Sequence, residues 1–171
     1  MKEKAGDQVK KIILMISAVS FILMACNSGE TSELEEMYEA FNRNHEELRN
    51  EVERELDNVR AADDREEQLD IYYNNLIPKF DDFKAVISNF EFGSTENLEL
   101  QETMLDYIDS LEELTRMYGQ FNLNFYVSNP MDDEDFSTSF AEELDAIRAL
   151  EVETEEKYEA VEARYNELTE E

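Results

Sequence analysis

Residues 32–48 read SELEEMYEAFNRNHEEL, a stretch with the pattern of an amphipathic helix. It opens with Ser-x-x-Glu, a capping box in which the Ser32 and Glu35 side chains satisfy free backbone N–H groups at a helix start. Behind the box, apolar side chains recur at alternating steps of four and three residues, which is typical of a helix with one face against a core. The stripe comprises Leu34, Tyr38, Phe41, His45, Leu48, Val52 and Val59, with Glu55 in one slot.

The second stretch begins at Asp63-Asp64 and contains a proline. Aspartate before a helix accepts hydrogen bonds from the first free N–H groups, so this pair predicts a helix start near residue 65. Pro78 removes one backbone hydrogen bond, but the apolar phase continues across it, which predicts one kinked helix. Gly93 is suited to the left-handed residue after a helix end. The predicted inward face is Leu69, Tyr73, Leu76, Phe80, Phe83, Ile87 and Phe90.

A third stretch starts near Ser94 or Thr95 and ends before Pro130. Residues 121–125 also alternate apolar and polar with period two, so a short extended segment is an alternative there. Its apolar residues are Leu98, Met104, Leu105, Ile108, Leu111, Leu114, Tyr118, Phe121 and Phe125.

The fourth stretch opens with a second capping box, Ser139 to Glu142. Its stripe has polar residues at two central positions. This pattern predicts either a core that contains water at that level or a stretch that faces a partner. The stripe comprises Phe140, Leu144, Ile147, Tyr158, Val161, Tyr165 and Leu168, with Glu151 and Thr154 in the polar slots.

Four helical stretches of similar length with short connections predict an all-α fold. We expect an antiparallel, up-down-up-down four-helix bundle of coiled-coil-like helices over residues 32–171. One alternative stays open at this point, because the first stripe keeps its phase through Ala62 and Glu66. The first two helices would then form one long rod, whose stripe would be half uncovered unless the protein dimerised.

The charge excludes several partners. The chain has 171 residues, with 15 Lys and Arg against 44 Asp and Glu, and its net charge is −29. A nucleic-acid binder needs clustered Lys and Arg to neutralise phosphates, and so does a helix that binds anionic lipid through a basic face. We therefore predict no nucleic-acid partner.

The amino terminus reads as a targeting signal. Residues 2–11 are basic, and the uncharged run from Ile12 to Ala25 would span roughly 21 Å as a helix, short of the ~30 Å hydrocarbon core. Leu23-Met24-Ala25-Cys26 resembles the lipobox of bacterial lipoproteins, although Met24 stands where Ala, Ser or Thr is usual. The resemblance implies a signal peptide at 1–25, a diacylglyceryl anchor on Cys26, and a location on the extracytoplasmic face of the cell membrane. Residues 26–31 would be a tether, and the mature chain would have a net charge of −31.

His45 is the one histidine, and it lies on the first apolar stripe. It is interpreted as a stripe residue hydrogen-bonded beside the core, because a di-iron bundle needs Glu-x-x-His and none is present. We find no Ser/His/Asp set, nucleophile elbow or phosphate-binding loop, and predict no catalytic residues, no metal site and no cofactor. The acidic run Asp132, Asp133, Glu134 and Asp135 fits no EF-hand register and offers only diffuse cation binding.

The layout resembles the cell-wall-binding helical lipoproteins of Gram-positive bacteria in architecture alone. The resemblance implies a non-enzymatic binding or scaffold module of the cell envelope. Its partner would be an envelope protein or cell-wall component that is cationic or bridged by cations. Two alternatives are a bundle that handles a small ligand or metal, and an acidity that reflects habitat rather than function.

Overall fold

The structure is a computed structural model that describes residues 32–55, 57–59, 61–62, 64–127 and 135–169. The chain divides into two compact units, Met1–Glu36 and Met37–Glu171. In the first unit, residues 32–36 are helical and Leu34 is buried. The predicted signal peptide, the tether, Cys26 and the acidic residues 132–134 lie outside the described residues and stay predictions.

The described chain is helical throughout its regular structure and contains no strand, which confirms the all-α prediction. Helix α1 comprises the described residues 32–55, 57–59 and 61. The following elements are α2 at Arg65–Asp70, a π-helical segment at Ile71–Leu76, α3 at Ile77–Ser88, α4 at Thr95–Val127 and α5 at Phe136–Thr169.

Contacts within the unit 37–171 fix the direction of the helices. At the α1–α3, α3–α4 and α4–α5 interfaces, residue numbers rise along one helix as they fall along the other. Neighbouring helices are therefore antiparallel, and the order is up-down-up-down, as predicted. These pairs are Phe41 with Phe83 and Glu51 with Lys79 between α1 and α3, Ile87 with Gln101 and Lys84 with Asp109 between α3 and α4, and Glu99 with Arg164, Ser110 with Thr154 and Asn124 with Glu143 between α4 and α5. Tyr38 with Tyr165 and His45 with Tyr158 close the bundle between α1 and α5.

The alternative of one long rod is wrong. Ala62 is not helical. Its N–H donates to the Asn58 carbonyl at 3.0 Å, a hydrogen bond at the end of α1. Asp64 then caps α2, because its side chain accepts from the Glu67 N–H at 2.9 Å. The predicted aspartate cap therefore starts a separate helix, and α3 runs back along α1.

The core is filled largely by residues of the predicted stripes. The buried apolar residues of the unit are Met37, Ala40, Phe41, Leu48, Tyr72, Leu76, Ile77, Phe80, Phe83, Ile87, Leu100, Met104, Tyr107, Ile108, Ile147 and Val161. Two residues assigned to the third stripe, Leu98 and Tyr118, are exposed instead. Leu100 and Tyr107 lie inward, so the buried face of α4 is rotated from the predicted one.

A π turn before Pro78 corrects the predicted face of the second stretch. The Ile77 N–H reaches back five residues to the Tyr72 carbonyl, and the α-helix resumes with Pro78 in its first turn. A wider turn accommodates the missing N–H and the bulk of the proline ring. It also changes the helical phase, so that Tyr72 is 8% exposed and Tyr73 is 36% exposed. The prediction that Tyr73 faces the core is wrong.

Two predictions about helix ends are wrong, and so is the extended alternative within the third stretch. No described glycine has a positive φ, and α3 ends at Ser88, so Gly93 is not its left-handed cap. The fourth helix begins at Phe136 rather than Ser139, because the Asp135 carbonyl accepts from the Thr138 and Ser139 N–H groups, each at 3.0 Å. Residues 121–125 are helical, so the extended alternative is wrong.

Candidate functional site

His45 lies in an aromatic cluster built by four helices. We define the His45 cluster as Phe41 and His45 on α1, Phe83 on α3, Tyr107 on α4 and Tyr158 on α5. The ring centroid of Phe41 lies 5.5 Å from that of Phe83 and 5.7 Å from that of Tyr107. The His45 ring centroid lies 5.2 Å from that of Tyr158. Its stripe position brings the imidazole to the edge of the core, where it is half-buried.

The imidazole has a specific hydrogen-bond partner. Its Nε2 lies 2.8 Å from the Tyr107 hydroxyl. Burial lowers the pKa of His45 below its ordinary 6.5, and Arg49 lowers it further, whereas Glu46 acts in the opposite direction. Burial also raises the pKa of Tyr107, and the neighbouring Tyr158 adds to that rise. Both groups are therefore neutral near pH 7, and the hydrogen bond between them fits the structural interpretation of His45.

Polar residues in the interior bond to one another across helices. Thr154, which fills a polar slot of the fourth stripe, is buried, and its hydroxyl lies 2.8 Å from that of Ser110 on α4. Gln101 donates to the Ile87 carbonyl at 2.8 Å and the Phe90 carbonyl at 2.9 Å. Ile87 lies in the last turn of α3, where its carbonyl also accepts from the Phe90 N–H at 3.4 Å, and Phe90 lies just beyond the helix end. Gln101 therefore acts as a cap supplied by α4. The polar slots are thus interhelical contacts.

A charged network joins α3 to α4 at the surface. Lys84 donates to Glu112 at 2.8 Å and to Asp109 at 3.0 Å. Arg116 donates to Glu112 at 2.8 Å, the i,i+4 geometry that the sequence offers. Partial burial would raise the pKa of Glu112, but hydrogen bonds from Lys84 and Arg116 outweigh it and lower that pKa. This network joins α3 to α4, and the Glu112 carboxylate already has two cationic partners.

Tyr72 packs against a glycine of α4. A Cβ placed on Gly119 would overlap the Tyr72 ring, so the ring fits there only because residue 119 has no side chain. The Tyr72 hydroxyl is buried without a hydrogen-bond partner of normal geometry. Burial raises its pKa, and the Gly119 backbone opposes that rise. The ring occupies the space that the missing side chain of Gly119 leaves, so the contact is a packing feature.

A second aromatic cluster lies where α4 ends and α5 begins. We define the Phe cluster as Phe121 and Phe125 on α4 with Phe136 and Phe140 on α5. The Phe121 and Phe140 ring centroids are 5.0 Å apart, and those of Phe125 and Phe136 are 5.3 Å apart. All four rings keep part of their surface in solvent. The two stripes predicted Phe121, Phe125 and Phe140 individually but not Phe136, which lies before the predicted helix start. Only the hairpin register brings the four rings together.

The described residues offer little for a metal or a substrate. Among them, no group of three or more His, Cys, Asp or Glu side chains is arranged to hold a metal ion. Asp135 is the one described member of the acidic run, and it is exposed. A surface cleft of about 140 Å³ lies between α1 and α3, lined in part by Glu47, Glu51 and Lys79. Lys79 and Glu51 form an ion pair within it at 3.2 Å.

Comparisons with protein-family models, with curated proteins and with solved structures found no match. Within the described ranges, none of the helices is both long and apolar enough to cross a membrane.

Proposed function

We propose that this protein is a lipid-anchored helical protein on the extracytoplasmic face of a bacterial membrane, where it acts as a binding or scaffold module without catalysis. The observation that carries the proposal is Leu23-Met24-Ala25-Cys26 at the end of a short apolar run behind a basic segment. A thioether-linked diacylglyceryl group on Cys26 would tie the chain to the outer leaflet. Residues 26–31 would then keep the following helices close to the surface.

The interior contacts support a binding module over a ligand-handling bundle. A ligand or metal site needs polar groups that converge on a shared space. Here His45 bonds to Tyr107, Thr154 bonds to Ser110, and Gln101 bonds to the end of α3. Each of these groups is used to join two helices, so binding is assigned to the outer surface.

The charge of that surface supports a cationic partner. With 44 acids against 15 bases, the protein attracts basic proteins and repels anionic polymers unless cations bridge them. The effect acts over about 8 Å at physiological ionic strength. Partner chemistry is therefore basic or cation-bridged, and it belongs to the cell envelope.

Replacing the anchor residue tests the proposal. In a bacterial host supplied with a labelled fatty acid, the wild-type chain is expected to take up the label and to sediment with membranes. Cys26→Ala is expected to do neither, because no other cysteine is present in the chain. Met24→Ala is the matched control, since it restores a more usual lipobox and keeps the acceptor cysteine.

Membrane sedimentation of Cys26→Ala in the presence of a calcium chelator would contradict the anchor. Cross-linking in cells then tests the binding role. The wild-type chain is expected to yield a defined envelope partner, and that yield should fall when salt is raised. A protein that instead copurifies with a stoichiometric metal or small molecule would favour the ligand-handling alternative.

A further inference from the structure

The π segment inserts one extra residue between two α-helices. The Ile71 N–H still bonds to the Glu67 carbonyl four residues back, whereas the Ile77 N–H bonds to the Tyr72 carbonyl five residues back. Removing the extra residue from this turn would move each residue before it into the position of its predecessor. For α2, that slip is a rotation of about 100° and a shift of about 1.5 Å along the helix axis.

The insertion falls on a pair of identical side chains. Tyr72 is buried and packs against Gly119, whereas Tyr73 is exposed, and the two rings contact each other edge to face. After a slip of one residue, Tyr73 would take the place of Tyr72. The space beside Gly119 would then receive the same ring in either register, so the slip keeps that packing contact.

We infer that residues 65–76 form a register switch with two states, the observed π register and an α register displaced by one residue. In the α register, the Ile77 N–H bonds to the Tyr73 carbonyl and the Tyr73 ring enters the core. Tyr72 moves into the half-buried place that Ile71 holds in the π register. The switch is a property of the bundle itself and does not depend on the lipid anchor.

Two features of the sequence favour opposite registers. Pro78 favours the π register, because a proline ring clashes with the carbonyl four residues back in a regular α-helix and a wider turn relieves that clash. The apolar spacing favours the α register, because its steps of four, three and four form one inward stripe only if every turn is α-helical. That stripe is Leu69, Tyr73, Leu76 and Phe80. In the α register, Leu69 would also replace Gln68 at a half-buried position.

Helix α2 is the part that can turn. Each of its six residues keeps part of its surface in solvent, so a rotation removes none of them from the core. Helix α3 is fixed, since it contributes four buried side chains: Ile77, Phe80, Phe83 and Ile87. The exposed Glu66 and Glu67 would change direction with α2. The two registers therefore present different acidic faces to solvent.

Nitration of tyrosine distinguishes the registers, because the reagent reaches exposed rings first. The purified chain in detergent solution would be treated with tetranitromethane, and nitration at Tyr72 and Tyr73 would be measured by tandem mass spectrometry. In the wild type, Tyr73 should react faster than Tyr72. Pro78→Ala removes the proline clash and should shift the register equilibrium by about a hundredfold toward the α register. We expect Tyr73 to react at least about fivefold more slowly in that variant, and Tyr72 to react faster than in the wild type.

Two controls accompany the nitration. Asp82→Ala changes another exposed residue of α3, one turn after Pro78, and should leave the order of the two rates unchanged. Tyr118 is exposed and lies outside the switch, so its rate should be the same in every variant and calibrates the reagent.

Alanine variants test the exchange of the two rings by a different measurement, urea unfolding. Truncating a fully buried aromatic ring ordinarily raises the unfolding constant by about a hundredfold or more. Tyr72→Ala should raise it by less than about thirtyfold, because Tyr73 fills the vacated place. Tyr73→Ala should then raise it at least about tenfold more in the Tyr72→Ala background than in the wild type. Tyr118→Ala should have the same effect in both backgrounds.

Either of two results would overturn the inference: wild-type reactivity of Tyr73 in Pro78→Ala, or equal effects of Tyr73→Ala in the two backgrounds. A Tyr72→Ala chain that does not fold would also count against it, since Tyr73 should rescue that variant. The nitration result stands whatever the alanine variants do, because Pro78→Ala places a better helix former at an exposed position.

Discussion

The His45 cluster and the Phe cluster both join α4 to α5 through aromatic rings, but their surroundings differ. Phe41 at the centre of the His45 cluster is fully buried, and the polar atoms of His45 and Tyr107 are hydrogen-bonded to each other. The four rings of the Phe cluster are half-buried and contact only one another among the aromatic residues that the structure describes. Aromatic residues at helical spacing therefore occur in two settings in one chain, and burial together with polar partners distinguishes them.

The largest expected difference between the clusters is in stability. Phe41→Ala removes a fully buried ring and should lower the free energy of unfolding by about 3–5 kcal/mol. Phe136→Ala removes a ring already partly in solvent, and about 1 kcal/mol is expected. Urea unfolding followed by circular dichroism measures both values. Equal losses in the two variants would contradict the assignment of Phe41 to the core and Phe136 to a surface patch.

A smaller effect is expected from the hydrogen bond that only the His45 cluster has. Tyr107→Phe keeps the ring and removes the hydroxyl, so about 1 kcal/mol of stability should be lost. A double-mutant cycle with His45→Phe isolates the bond, and a coupling energy of about 0.5–1.5 kcal/mol is expected. Coupling indistinguishable from zero would mean that the two groups do not interact in solution.

The smallest effect is a pH dependence confined to the His45 cluster. The folded-state pKa of His45 lies below its ordinary 6.5, so the unfolded chain binds the proton more readily. The stability contributed by neutral His45 is present above pH 6.5 and is lost as the pH falls from there through the folded pKa. Wild type should lose stability relative to His45→Phe across that interval.

Thermal unfolding between pH 8 and about 5.5 measures this difference, because most carboxylates titrate below that range. Phe136→Ala serves as the control, and its pH profile should run parallel to that of the wild type. A wild-type profile parallel to that of His45→Phe would show that the imidazole is not desolvated.

The sequence predicted much of the fold because helical periodicity is a local property. The stripes of α1, α3 and α5 locate Phe41, Phe83 and Val161 in the core, and Asp64 marks the start of α2. Prediction failed at Tyr73, because a π turn changes the helical phase ahead of Pro78. A local pattern read at 3.6 residues per turn contains no signal for that change.

The candidate sites were less predictable. His45 was assigned to the edge of the core, but its partner Tyr107 is 62 residues away and was not on the predicted stripe. Phe121 and Phe140 were each placed on an apolar face. Their contact depends on the register of the α4–α5 hairpin, which no single stripe specifies.

Local sequence patterns specify the helices, most of their apolar faces, the acidic composition and the resemblance of residues 23–26 to a lipobox. The packing of distant segments was needed to show that α1 and α3 run antiparallel rather than as one rod, that Thr154 contacts Ser110, and that four phenylalanines contact one another. The difference follows from the range of the interactions. Helix formation depends on residues three and four apart, whereas helix pairing depends on how side chains distant in sequence fit together.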